Sequence, residues 1–179
     1  MMKRALPDSG WLRRAFAALI AVAIVGCFSG CSITRAGQTA DAAAIEVKSL
    51  QGISNSSDVY SNSSYSGFTK QNSTLVVVTV DPDRRIENTG QLVEFLIRVA
   101  WSVNDAQPNM ELMVTIKSTA PIDAVAAAQA AGWTGAHAFN DERGTVFIPL
   151  SEAKKRLGAW PGKVPTAPDG VIVAATPAP

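Results

Sequence analysis

Cysteine is nearly missing from this chain. Its 179 residues include two, Cys27 and Cys31, both close to the N-terminus. Whatever folds after them has no internal pair to bridge and no cysteine cluster for a metal. Its core alone must hold it together. Histidine is scarcer still, with His137 standing alone. A Ser-His-Asp or Cys-His arrangement would have to use that one ring, and a zinc site normally needs three or four ligands. No G-x-x-x-x-G-K-Ser/Thr loop, G-x-G-x-x-G run or G-x-S-x-G elbow occurs. Charge of one sign is lacking too: 16 Lys and Arg face 15 Asp and Glu. No broad basic field is present to hold nucleic acid. These absences lead us to expect no catalytic residues, no metal, no cofactor and no nucleic-acid partner.

What is present begins with a basic start and an apolar run. Lys3, Arg4, Arg13 and Arg14 precede Ala15–Gly26, which carries no charge. That is the layout of an export signal. Ile24-Val25-Gly26-Cys27 then matches a lipobox, so the N-terminus resembles that of bacterial lipoproteins. The resemblance covers about the first 27 residues. It implies cleavage before Cys27, lipid on the Cys27 thiol, and a lipid-anchored protein of the cell membrane facing away from the cytoplasm. Phe28-Ser29-Gly30-Cys31 is a second candidate lipid site, with a less usual residue at Phe28. Arg13-Arg14-Ala15-Phe16 partly resembles a twin-arginine signal, so the export route stays open. The rival reading is an uncut single-pass helix over Ala15–Ile33, near the ~20 residues a span needs. Gly26, Ser29, Gly30 and Ser32 lower its hydrophobicity. In either case the basic side stays in the cytoplasm.

Removing residues 1–26 as signal leaves twelve basic and fourteen acidic residues, a formal net charge of −2. The remaining length suits one domain that buries roughly two-thirds of its unfolded surface. Residues 27–44 read as the lipidated cysteine and a small, polar tether. Residues 45–158 read as the domain, and 159–179, with five of the ten prolines, as an extended tail.

Inside the domain, Ile45–Ser61 alternates weakly and predicts a poor strand. Thr74–Val80, TLVVVTV, is apolar on both faces and predicts a central strand, stopped by Asp81-Pro82-Asp83. Asn88–Val103 predicts a helix, with Leu92, Phe95, Leu96, Val99, Ala100 and Val103 at three- and four-residue spacing and Asn88 as cap. Met110–Lys117 alternates cleanly, as a strand with one buried face does. Pro121–Ala131 predicts an alanine-rich helix stopped by Gly132. Thr134–Phe139 and Thr145–Leu150 read as a hairpin turning at Asn140–Gly144. A short helix follows at Glu152–Leu157, capped by Ser151, and Val171–Ala174 could add an edge strand. The sum is an α+β fold. We expect a two-layer sandwich with a mixed sheet of four to five strands and two main helices, preceded by a signal or anchor segment.

Several residues could carry chemistry, and each has a plainer reading. His137, between Ala136 and Ala138, reads as a strand histidine near the surface. Asp81 with Asp83, and Asp141 with Glu142, could act as acid–base pairs or hold calcium. Aspartate is also a common turn residue, and turns are where both pairs fall. Lys154-Lys155-Arg156 could touch anionic headgroups or wall polymers, or be a solvated helix face. Trp101 and Trp133 read as seals over the core at helix ends. Ser54-Asn55-Ser56-Ser57 recurs as Ser61-Asn62-Ser63-Ser64, and Tyr60, Tyr65 and Phe68 interrupt this polar region. Exposed aromatics beside Ser and Asn donors can stack on sugar rings, so Tyr60, Tyr65 and Phe68 are the candidate ligand-binding residues. Asn55, Asn62 and Asn72 fit N-x-Ser/Thr, which serine density produces cheaply. The function expected is a non-catalytic accessory or binding module of the cell envelope, with an envelope protein or wall polymer as partner. The rivals are a wall-glycan or small-solute binder, a hydrolase using Asp81, Asp83 or His137, and a membrane protein without lipid.

Overall fold

The computed structural model describes residues 36–140 and 143–175. The expectations for the signal, Cys27, Cys31 and the Asp141–Glu142 pair lie outside the described residues. The chain divides at 34–35, and all the described residues belong to the second unit.

That unit is α+β. Four strands, β1 (Asp58–Ser66), β2 (Thr69–Thr79), β4 (Leu112–Lys117) and β5 (Thr145–Ile148), form a sheet in the order β1-β2-β4-β5. The pairings are antiparallel, parallel and antiparallel, so the sheet is mixed. A second sheet pairs β3 (Arg84–Ile86) with β6 (Ile172–Ala174). Four helices accompany them: α1 (Ala40–Lys48), α2 (Thr89–Ser102), α3 (Ala124–Ala130) and α4 (Leu150–Leu157).

Helix α2 is the centre of the core. Asn88 accepts from Gln91 N–H at 3.0 Å and starts it. Leu92, Leu96, Ile97 and Val99 are fully buried, each long side chain stabilising the fold by about 1.5–3 kcal/mol. Val93, Trp101 and Ser102 are buried as well, because α2 touches β2 and β4 on one side and α1, α3 and α4 on others. Glu94 and Arg98 pair at 2.7 Å, with Arg98 half exposed and Glu94 largely covered. Facing α2 across the sheet are Val59, Val76, Val114 and Val146, one register row and all buried.

Several expectations need correction. Within the expected tether and weak strand, residues 40–48 form α1, and only 58–61 are strand, the start of β1. Thr39 accepts from Ala42 N–H, and Ala43, Ala44 and Val47 form the buried stripe. Ile45, the first residue of the supposed strand, is 71% exposed. Ahead of α1, Gln38 N–H bonds Ser102 C=O at 2.9 Å, so the chain is docked before residue 40. The Gln38 amide donates to Glu46 at 2.8 Å and to Ser102 Oγ at 3.0 Å. Burial pushes the Glu46 carboxyl above its ordinary 4.5, and the Gln38 bond acts against that rise.

Helix α3 starts at Ala124 rather than Pro121. Asp123 accepts from Ala126 N–H at 2.8 Å, and a side-chain cap satisfies a donor that proline cannot. Helix α4 begins at Leu150 without a side-chain cap, and Ser151 lies in its first turn. The hairpin of 134–139 with 145–150 reduces to one bridge, His137 with Phe147. Strand β5 pairs with β4 instead, setting Val146 on Val114 and Ile148 on Leu112. Gly135, Ala136 and Ala138 offer β5 no comparable side-chain partners. Residues 160–174 of the supposed tail fold back. Trp160 Nε1–H donates to Val103 C=O at 3.0 Å, Val171 and Ile172 are buried, and β6 completes the small sheet.

Candidate functional site

Among the described residues, no helix covers one face of the four-stranded sheet. Alternation sorts the strand residues into two sets. Apart from Thr145, every buried strand residue of this sheet lies on the helix side. The register places Tyr60, Leu75, Met113 and Phe147 in one row across the opposite face, and the bridge extends that row to His137. Tyr60 is 42% exposed, whereas Leu75, Met113 and Phe147 are half-buried. Phe139, 57% exposed, meets Phe147 edge-on with centroids 4.6 Å apart, and His137 packs on both rings. A second row, Asp58, Val77, Thr115 and Thr145, lies beside the first, and the two threonine hydroxyls are 3.1 Å apart. The result is a shallow apolar strip with an aromatic end. Strand β2 was expected to be buried on both faces. It is central in the sheet, but Leu75 and Val77 have no helix over them among the described residues.

The hairpin β1–β2 carries the other two candidate residues away from that strip. Gly67 and Phe68 form its two-residue loop. Gly67 at φ +61° takes the first position of the tight turn, where glycine has no Cβ penalty. Phe68 is fully exposed and Tyr65 is 73% exposed. Tyr60 and Tyr65 are five residues apart on one strand, so they project from opposite faces. The proposed Tyr60, Tyr65 and Phe68 cluster is therefore split into Tyr60 on the strip and Tyr65 with Phe68 at the tip. The Gly-x loop between two strand-like runs was the signal that could have located this turn from sequence.

The remaining candidates are engaged in structure. His137 Nε2 lies 3.3 Å from Glu111 and Nδ1 lies 3.2 Å from Gly135 C=O. Asp83 pairs with Arg84 at 3.8 Å, and Asp81 C=O accepts from Arg84 N–H, closing a turn. No group of three metal-ligating side chains occurs among the described residues. The basic run on α4 is divided, because Arg156 turns inward. Its guanidinium donates to Ala131 C=O at 3.0 Å and stacks 4.1 Å from the Trp133 ring. An open depression of about 550 Å³ lies between the Gly132–Gly135 loop and the start of α4. Two of its charged groups are committed, Arg156 as above and Glu152 to Gly135 N–H at 2.9 Å. Trp133 is fully buried and Trp101 nearly so, as expected of core seals.

No helix among the described residues is long and apolar enough to cross a membrane. Compared with protein-family models, curated proteins and solved structures, the chain gives no match.

Proposed function

We propose that this chain is a bacterial lipoprotein, held by lipid on Cys27 at the outer side of the cytoplasmic membrane. Its domain acts as a non-catalytic accessory module that engages an envelope partner through the open sheet face. The observation that carries the binding role is the strip Tyr60–Leu75–Met113–Phe147 with Phe139 at its end. A contiguous, partly exposed apolar strip marks an interaction surface more often than an isolated exposed side chain does. A second reading uses the hairpin tip. Tyr65 and Phe68 stand clear of the body among serines and asparagines, an arrangement suited to stacking on wall glycan.

Mass spectrometry of the purified N-terminus tests the anchor. Diacylglyceryl mass on Cys27, abolished with membrane retention by Cys27→Ser, is the expected result. An intact Met1 terminus in the membrane fraction favours the uncut span. Pull-down on envelope material tests the surfaces. Retention lost in Tyr60→Ala but kept in the Tyr65→Ala, Phe68→Ala double variant assigns binding to the strip. The reverse pattern assigns it to the tip, and unchanged retention in both removes the two surfaces.

A further inference from the structure

Strand β1 is a sheet edge whose usual protection is confined to Asp58 at its first position. The register with β2 runs one-to-one from Asp58–Val77 to Ser66–Thr69, so no bulge interrupts it. Val59–Ser66 contains no charge and no proline. Natural edges are normally blunted by charge, proline or bulges, because an unpaired row of N–H and C=O groups recruits another strand. Among the described residues, no strand pairs with the outer side of β1.

Which groups point outward follows from Asn72. Its N–H donates to Asn109 Oδ1, and its C=O accepts from Asn109 and Met110, all on the side away from β1. Ser63, opposite Asn72, therefore turns its own N–H and C=O outward. By alternation Val59, Ser61 and Tyr65 do the same. Val59 N–H is taken by Asp58 Oδ1 at 2.9 Å, which agrees with an outward direction.

We propose that a second copy of this chain occupies this edge, pairing β1 antiparallel to β1 about a two-fold axis at Asn62. Asn62 is the midpoint of the strand, so this register leaves no residue of Asp58–Ser66 unpaired. It sets Ser61 against Ser63 of the second copy, each with both backbone groups outward. It sets Tyr65 beside Val59 of the second copy on the helix side of the sheet, where Val59 is already buried. Asp58 meets Ser66 of the second copy, so no like charges face each other. An identical edge is self-complementary under a two-fold axis, and one four-stranded sheet becomes a continuous eight-stranded one. This inference needs neither the lipid nor the open face, so it stands or falls separately from the function proposed above.

The test uses the full chain carrying Cys27→Ser and Cys31→Ser, solubilised in detergent, so that the introduced cysteine is its one thiol. The two-fold axis brings Asn62 to about 4.5–5.5 Å from its own counterpart between Cα atoms, within reach of a disulfide. Ser64 is offset from its counterpart by about 13 Å along the strand, beyond that reach. Mild oxidation should convert Asn62→Cys to a covalent homodimer and leave Ser64→Cys about tenfold less cross-linked. Ser63→Pro removes an outward N–H that β2 does not use, and should yield a folded monomer by light scattering and circular dichroism. Should that variant not fold, Ser61→Lys with Ser63→Lys replaces it: this pair should give monomer, and Ser61→Lys with Ser63→Glu should restore the dimer. A monomeric parent, equal cross-linking at both positions, or an Asn62→Cys adduct with a different protein would overturn the proposal.

Discussion

Asn72 and Asn109 bind each other's backbones. Asn109 Oδ1 accepts from Asn72 N–H at 2.7 Å, and Asn72 C=O accepts from Asn109 N–H at 3.0 Å. Asn109 Nδ2 also donates to Lys70 C=O at 2.8 Å, and Asn72 Nδ2 to Gln107 C=O at 3.0 Å. The loop before β4 thereby continues the sheet past the end of β4 and holds the tip half of the β1–β2 hairpin. Asn109→Ala should cost about 1–2 kcal/mol, since water replaces part of each exposed bond. The sharper readout is amide exchange. Protection at Asn72 should drop while that at Val76 is kept. Equal protection in parent and variant would show that the asparagine clamp holds nothing.

Trp133 and Glu94 join the end of α3 to the middle of α2. The indole N–H donates to Glu94 Oε2, and Arg98 and Arg156 approach the same carboxylate. Trp133→Phe keeps most of the buried ring but deletes the donor, and should cost about 1–3 kcal/mol. Trp133→Ala also opens a cavity and should cost about 3–5 kcal/mol. Denaturant midpoints measure both. A phenylalanine variant as stable as the parent would mean that packing, not the hydrogen bond, fixes this corner.

Gly37 tests whether the segment before α1 is part of the domain. It sits at φ +91°, and an added Cβ would lie 2.2 Å from Ser102 C=O. A free tether would accept alanine without effect. The docked segment should lose about 1–3 kcal/mol from the strained conformation, read as a fall in thermal midpoint. An unchanged midpoint would return residues 36–39 to the tether.

Glu46 sets a pH dependence. Its carboxyl titrates above 4.5 in the folded state because burial disfavours the charge. The folded chain then binds the proton more tightly than the unfolded one. The associated stability is present below pH 4.5 and is lost as pH rises through the elevated value. Glu46→Gln carries no charge at any pH, and its amide oxygen can still accept from Gln38. Stability curves of parent and variant should run together near pH 4 and separate above it, with the variant more stable at pH 7. Parallel curves across that range would show that burial does not tax this carboxyl.

Elements whose side chains alternate or recur with a strong period could be read directly. Asn88–Val103 and Met110–Lys117 carry such periods, and α2 and β4 lie within a few residues of those bounds. The α+β class followed from them. Segments whose form depends on a distant partner could not be read. Ile45–Val47 looks like a strand locally, but Ala43, Ala44 and Val47 are drawn onto the core as a helical stripe. Thr134–Phe139 resembles a strand opposite Thr145–Leu150, yet β5 finds a better partner in β4, far away in the chain.

The candidate site divides along the same line. That Tyr60, Tyr65 and Phe68 stand in a polar stretch was visible in the residues themselves. Exposure of aromatics among serines needs no tertiary information, and all three are exposed. Their separation was decided by register, because strand direction and turn position place Tyr60 on one face and Tyr65 on the other. The open strip joins side chains from β1, β2, β4 and β5, spread from residue 60 to residue 147. Hydrophobic periodicity determines which face of a strand is apolar. Only the packing of the helices determined which apolar face was covered and which was left to solvent.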